Sequence, residues 1–106
     1  MSMLYITFMG GPRFLLDAAD VSDQISSKAA AIIALVLVRA TRQMRRSDII
    51  SYLWSDSSDD AAKYNLRFNL WQIKKALVQA DGESLLLVSK DVIKVNPNFS
   101  FLCDIS

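Results

Sequence analysis

The feature that most constrains this chain is an uninterrupted apolar run of ten residues, from Ala29 to Val38. A membrane-spanning helix needs about 20 such residues, so this run has to be buried within the protein itself. Its alanines favour a helix over a strand, and a helix that is apolar almost all round lies in a core. Ser26 or Ser27 can cap such a helix, and we predict that its body extends from Lys28 to about Thr41.

Size and composition restrict the class of protein. With 106 residues, 52% of them hydrophobic and 22% charged, the chain suits one folded domain, which we place over residues 1–106. The single cysteine, Cys103, excludes a disulfide framework, and the lack of histidine removes the commonest metal ligand and general base. We therefore predict a non-enzymatic protein without catalytic residues, metal or cofactor. The first residues do not resemble a signal peptide, so we expect a cytoplasmic protein with no membrane association.

The residues before the apolar run have the pattern of short strands. Residues 4–9 alternate as a strand does, Gly10-Gly11-Pro12 predicts a turn, and residues 13–18 predict a second strand that pairs with the first. Residues 20–25 predict a weaker strand or a loop. The nearby acids Asp17, Asp20 and Asp23 lack the spacing and the glutamate of a calcium loop, so we interpret them as solvated carboxylates.

Two more helices are predicted after the apolar run. Ser47 is a suitable cap for a short helix, in which Trp54 most simply packs against the buried helix. A polar loop follows at residues 55–60, and Ser57 or Ser58 can cap a long helix over residues 59–80. The short helix is indicated by apolar residues at helical spacing, namely Ile49, Ile50, Leu53 and Trp54.

The long helix is predicted to have an apolar side and an opposite side that is basic and aromatic. Between residues 61 and 80 it carries four cations and no anions. If the helix phase were wrong by one position, some of the aromatic residues would instead belong to the core. The core stripe comprises Ala62, Leu66, Leu70, Ile73 and Leu77. The opposite side carries Tyr64, Arg67, Phe68, Trp71, Lys75 and Val78.

The last part of the chain predicts a β-hairpin. Residues 85–88 and 92–95 have strand character, and Ser89-Lys90-Asp91 is the connection between them. Asn96-Pro97-Asn98 ends the second strand, and residues 99–102 continue as an apolar tail.

The net charge of +1 conceals an uneven distribution. Residues 39–80 carry eight basic and four acidic side chains, a balance of +4, whereas the rest of the chain has a balance of −3. Two interpretations remain open: a face for an anionic partner, or an ordinary solvated helix surface.

Short strands, three helices and a closing hairpin form an α+β order typical of a winged helix-turn-helix. The chain resembles the OmpR/PhoB-type DNA-binding domain over nearly its whole length. It is most similar to the N-terminal domain of SARP-type bacterial transcriptional activators. The segments that carry this resemblance are Met9-Gly10-Gly11-Pro12-Arg13-Phe14, Ser27-Lys28-Ala29, Ile49-Ile50-Ser51-Tyr52-Leu53-Trp54, Ala61-Ala62-Lys63-Tyr64-Asn65-Leu66-Arg67 and Val95-Asn96-Pro97.

The resemblance implies sequence-specific binding of double-stranded DNA by a transcriptional regulator, with the long helix in the major groove and the hairpin as the wing. It also implies that the loop before the long helix faces RNA polymerase, and that the chain is the N-terminal part of a longer regulator. The expected DNA contacts are Lys63, Tyr64, Arg67, Phe68, Trp71, Lys74, Lys75 and Lys90. The expected polymerase-facing loop comprises Asp56, Ser57, Ser58 and Asp59.

Two departures from the family keep an alternative function open. Family members tend to carry polar or basic residues where this helix has Tyr64, Phe68 and Trp71. The hairpin connection lacks the glycine and the following aromatic residue that family wings often have. The alternative is a protein-interaction or homodimerisation module on the same fold, with weak or lost DNA binding.

Overall fold

The computed structural model describes residues 2–104, which form three α-helices and seven short strands. Three strands precede the first helix, one lies between the first and second helices, and three follow the third helix. This composition confirms the predicted α+β class. The strands are β1 (Leu4–Thr7), β2 (Arg13–Leu16), β3 (Ala19–Asp20), β4 (Gln43–Arg45), β5 (Leu86–Val88), β6 (Val92–Val95) and β7 (Phe101–Cys103). The helices are α1 (Ser27–Leu37), α2 (Arg46–Leu53) and α3 (Asp59–Ala76), with a 3₁₀ turn at Ser22–Gln24.

The apolar run lies in α1, at the centre of the core. Ser26 is its cap, because the Ser26 hydroxyl accepts a hydrogen bond of 3.0 Å from the backbone N–H of Ala29. α1 contacts both other helices as well as β4 and β6. The predicted burial is confirmed for most of the helix, with six buried residues: Ala29, Ala30, Ile32, Ile33, Val36 and Leu37.

α1 ends at Leu37, four residues before the predicted end at Thr41. The chain turns there, and the Arg42 N–H donates a hydrogen bond of 3.0 Å to the Arg39 carbonyl oxygen. Arg42 has a φ of 55°, a left-handed conformation that no helix can continue through. The short strand β4 follows at once, and the sequence did not predict it.

The first sheet has the strand order β3-β2-β1-β7. The antiparallel pairing of β1 with β2 confirms the predicted hairpin across the Gly10-Gly11-Pro12 turn. The predicted apolar tail forms β7, which runs parallel to β1. Leu4, Ile6 and Phe14 are almost completely buried on the inner face of this sheet.

α2 begins at Arg46, and Arg45 is its N-cap without a capping side-chain hydrogen bond, so the predicted cap at Ser47 is wrong. The reason is a tertiary contact. The Arg46 N–H donates a hydrogen bond of 2.9 Å to the Asp91 carbonyl oxygen in the hairpin turn, which partners a helix-end donor without a serine. Ile49 is buried, and Trp54 packs against the core as predicted.

α3 begins after Ser58, whose hydroxyl accepts a hydrogen bond of 3.3 Å from the Ala61 N–H. It ends at Ala76 and not at the predicted residue 80, because the chain becomes extended and Val78 forms a β-bridge with Ser84. Gln79 is buried there, and its side-chain Nε2 donates a hydrogen bond of 2.9 Å to the Ser100 carbonyl oxygen. The predicted core stripe is confirmed: Ala62, Leu66, Leu70, Ile73 and Leu77 are all buried.

The second sheet has the order β4-β6-β5, and its strands β4 and β6 contact α1, while β4 also contacts α2. The antiparallel register of β5 with β6 matches the predicted hairpin. β4 adds to the outer edge of β6, with Met44 opposite Ile93, and both side chains are buried. Within residues 2–104, no helix combines the length and apolarity that crossing a bilayer requires.

Candidate functional site

The side of α3 that faces away from the core is exposed, as the helix phase predicts. Leu66 and Ile73 are each 1% exposed, whereas Tyr64 is 62% and Trp71 is 54% exposed. The alternative in which the phase is wrong and the aromatic residues are core is therefore excluded. Every residue predicted for the outer side is exposed, namely Tyr64, Arg67, Phe68, Trp71, Lys75 and Val78, although Val78 lies beyond the end of the helix.

A groove of about 800 Å³ lies between the start of α2, α3 and the turn of the β5–β6 hairpin. We call it the cationic groove, because five basic side chains line it and Asp91 supplies the single carboxylate. Its apolar lining residues are Ile50 and Leu66. The basic residues are Arg45, Arg46, Lys63, Arg67 and Lys90, and they come from three separate segments of the chain: the junction of β4 with α2, α3 and the hairpin turn.

Backbone contacts fix the hairpin turn beside the start of α2. Arg46 Nε donates a hydrogen bond of 3.0 Å to the Ser89 carbonyl oxygen, and the Arg46 N–H bonds to Asp91. Within the turn, the Val92 N–H donates to the Ser89 hydroxyl at 3.1 Å. Lys90 is therefore held on the same side of the molecule as Arg46.

Arg45 takes part in one exposed ion pair at the edge of this surface. Its Nε lies 3.6 Å from the Asp48 carboxylate, with the Arg45 side chain largely exposed and the Asp48 side chain about half exposed. An exposed pair of this length contributes little to stability, so the Arg45 charge remains usable for an anionic partner.

A second surface on α3 is formed by Tyr64, Phe68 and Trp71, which we call the aromatic strip. The rings of Phe68 and Trp71 lie 6.0 Å apart at an angle of 30°. Lys75 Nζ lies 4.6 Å from the centre of the Trp71 ring, within range of a cation–π interaction. Arg67 borders both surfaces, since it lines the cationic groove and also the shallow depression formed by the three rings.

The structure therefore divides the predicted DNA contacts into two groups. Lys63, Arg67 and Lys90 meet in the cationic groove. Lys74 lies beside it, in a cavity of about 250 Å³ that Arg46, Arg67 and the hairpin residues Leu86 and Val88 also line. Lys75 does not join them, because it lies over Trp71 on the strip side.

The predicted polymerase-facing loop lies at the start of α3. Asp56, Ser57 and Ser58 precede the helix and are exposed. Asp59 is already the first residue of α3, where a carboxylate is favourable beside the helix N-terminus. Ser58 has a structural role as the cap of the helix.

Sequence reasoning missed Arg45 and Arg46 as site residues. Both belong to the basic middle of the chain, but their position depends on β4, which pairs with a strand far along the chain. The signal in the sequence is the pair of adjacent arginines at the start of a short helix.

Other groups with distinctive chemistry lie outside the groove. Hydrogen bonds from the Met9 and Phe8 N–H groups lower the pKa of the Asp104 carboxyl, and hydrogen bonds from Ser22, with the nearby Arg13, lower the pKa of Asp20. Both carboxylates belong to the region of the first sheet. Among the side chains of residues 2–104 there is no group of three or more His, Cys, Asp or Glu that could hold a metal ion.

Comparisons of the chain with protein-family models, with curated proteins and with solved structures found no match. Any function proposed for this chain therefore rests on the geometry of the cationic groove and of α3, together with the sequence. Five cations in one groove create a local positive potential that attracts a polyanion, and an exposed helix beside them can enter a groove of that polyanion.

Proposed function

We propose that this chain is a winged helix-turn-helix domain of a bacterial transcriptional regulator and that it binds double-stranded DNA. The observation that carries this proposal is the convergence of five cations, from three separate segments of the chain, on the groove beside the exposed side of α3. The resemblance of several segments to the OmpR/PhoB-type domain supports the same proposal. In it the protein acts in the cytoplasm by binding, without catalysis.

The proposed docking uses α3 as the recognition helix. An α-helix is about 10–12 Å wide with its side chains, and the major groove of B-DNA is about 12 Å wide, so α3 fits into it. Arg67 lies near the middle of α3 and is exposed, which places its guanidinium well for a bidentate contact with guanine. Lys63 lies one turn before Arg67 and Lys74 about two turns after it, towards the flanking phosphates.

The remaining cations bind the DNA backbone in this proposal. Arg45 and Arg46 lie at the start of α2, and Lys90 lies in the turn of the β5–β6 hairpin, which serves as a short wing. Phosphate contacts from these side chains set the position of the protein on the duplex, while base contacts from α3 give the preference for sequence.

The loop before α3 is not a DNA contact in this proposal. Asp56 and Asp59 would be repelled by phosphates. RNA polymerase is proposed as the partner of this loop on the family resemblance alone. Ser57 and Ser58 complete the exposed segment, which the family resemblance assigns to the polymerase.

Fluorescence anisotropy with a labelled random duplex tests the proposal. Lys63→Ala and Arg67→Ala should each weaken binding, and at a selected specific site Arg67→Ala should cost about 1–3 kcal/mol. Arg13→Ala is the matched control, because it removes the same charge from β2, outside the groove. Equal effects of Arg67→Ala and Arg13→Ala would show that the groove is not the DNA-binding site.

A further inference from the structure

The exposed side of α3 has a charge pattern that runs along the aromatic strip. Asp60 precedes the strip and Lys75 follows it, so that Asp60, Tyr64, Phe68, Trp71 and Lys75 succeed one another at offsets of 4, 4, 3 and 4. Residues at these offsets share one side of a helix. All five side chains are exposed. The line therefore has an acid at one end, three aromatic rings in the middle and a base at the other end.

This order is complementary to itself when reversed. The midpoint of α3 (Asp59–Ala76) lies between Arg67 and Phe68. A two-fold axis through that point sets Asp60 opposite Lys75 of a second copy and Tyr64 opposite Trp71 of that copy. The two Phe68 rings meet at the axis. We propose that a second copy of this chain docks on the aromatic strip, with the two α3 helices antiparallel.

Charge decides between this arrangement and the parallel one. A parallel pair would set the Asp60 carboxylates against each other and the Lys75 ammonium groups against each other, whereas the antiparallel pair makes two opposite-charge contacts. The line from Asp60 to Lys75 is about 22 Å long at 1.5 Å per residue, and the pairing would remove three large rings from water.

Arg67 limits the strength of the dimer. It lies beside the two-fold axis on the groove side, so the pairing brings two Arg67 guanidinium groups near each other at the rim. Replacing Arg67 with alanine should therefore strengthen self-association, while the proposed DNA binding becomes weaker. The same substitution has opposite effects on the two interactions, which separates them experimentally.

Self-association would also regulate DNA binding. Two α3 helices side by side, each about 10–12 Å wide, do not fit into a major groove about 12 Å wide. The dimer and the DNA complex would exclude each other. This competition rests on the proposed function, whereas the pairing of the helices does not.

Sedimentation velocity of the chain without DNA tests the pairing by itself. We expect the parent to dimerise with a Kd of about 10–100 µM, as suits a small interface. Asp60→Lys and Lys75→Asp each turn both charge contacts into repulsions and should raise the Kd about tenfold. An equimolar mixture of the two variants should dimerise at least as tightly as the parent, because each chain then meets opposite charges at both ends.

Trp71→Ala provides a second variant, since the exposed Trp71 ring can be removed without opening the core. It should abolish dimerisation, with thermal melts that match those of the parent. A parent that stays monomeric at about 0.5 mM, or a mixture that associates no better than the separate charge variants, would overturn the antiparallel pairing. Either result would leave the DNA-binding proposal intact.

Discussion

Arg46 Nε donates a hydrogen bond of 3.0 Å to the backbone carbonyl oxygen of Ser89, and this contact joins the start of α2 to the turn of the β5–β6 hairpin. Because Arg46 also lines the cationic groove, one residue both builds the groove and contributes charge to it.

Arg46→Lys should separate these two roles. Lysine keeps the charge but has no Nε donor at the position of the guanidinium, so the free energy of unfolding should fall by about 0.5–1.5 kcal/mol. DNA affinity should fall less for Arg46→Lys than for Arg46→Ala, since the latter also removes the charge. Denaturant unfolding and duplex binding of both variants measure the two effects. Equal DNA affinities of the two variants would show that the charge of Arg46 is not used.

Leu66→Ala should destabilise the protein by about 2–5 kcal/mol, because Leu66 is 1% exposed and its loss leaves a cavity beneath α3. Lys63→Ala, one turn earlier on the exposed side, should change stability by less than about 0.5 kcal/mol. Thermal or urea unfolding of both variants checks the phase of α3. Similar melting temperatures of the two variants would contradict that phase and the site built on it.

Ser26→Ala should cost about 1–3 kcal/mol of stability. The Ser26 hydroxyl caps α1 and also donates a hydrogen bond of 2.8 Å to Asn69 Oδ1, which belongs to a buried side chain of α3. Removing it leaves both groups without this partner. Ser27→Ala is the matched control, since Ser27 is exposed at the first position of the helix and should tolerate alanine. A larger loss of stability for Ser27→Ala than for Ser26→Ala in unfolding curves would contradict the assignment of the cap.

The stabilising effect of the Asp104 carboxylate should be lost in acid. Its pKa is lowered in the folded state by hydrogen bonds from Met9 and Phe8, so its stabilising effect is present above its unfolded value of about 4. That effect is lost as the pH falls below about 4, through the lowered folded pKa. The Asp104→Asn variant should therefore have a lower free energy of unfolding than the parent near neutral pH. It should also lose less of that free energy than the parent as the pH falls towards 2. Identical acid-unfolding curves for variant and parent would contradict this role.

Local sequence patterns predict the helices better than the sheets. The stripe that contains Leu66 and Ile73 determines the exposed side of α3, and this phase is correct. The pairing of β7 with β1 and of β4 with β6 joins residues that are distant in the chain, so no local periodicity reveals it. Local turns end α1 and α3 earlier than their composition indicates: the hydrogen bond from Arg42 to Arg39 follows α1, and the bridge of Val78 with Ser84 follows α3.

The candidate site is predictable to a similar extent. Lys63 and Arg67 share the exposed side of α3, and their spacing alone places them there. Arg45 and Arg46 join them only because the hairpin turn bonds to the start of α2, which is a tertiary contact. The local sequence around Arg46 does not contain that contact.

The salt dependence of duplex binding tests the central claim most directly. On random duplex DNA, which offers Arg67 no selected guanine, all five cations of the cationic groove are expected to contact phosphates. The logarithm of the affinity should then fall with the logarithm of salt concentration at a slope of about −4 to −5. Arg67→Ala or Lys63→Ala should each reduce that slope by about one, while the control Arg13→Ala should leave it unchanged. A parent that does not bind at about 50 mM salt, or whose affinity is the same at about 200 mM, would contradict DNA binding by this groove.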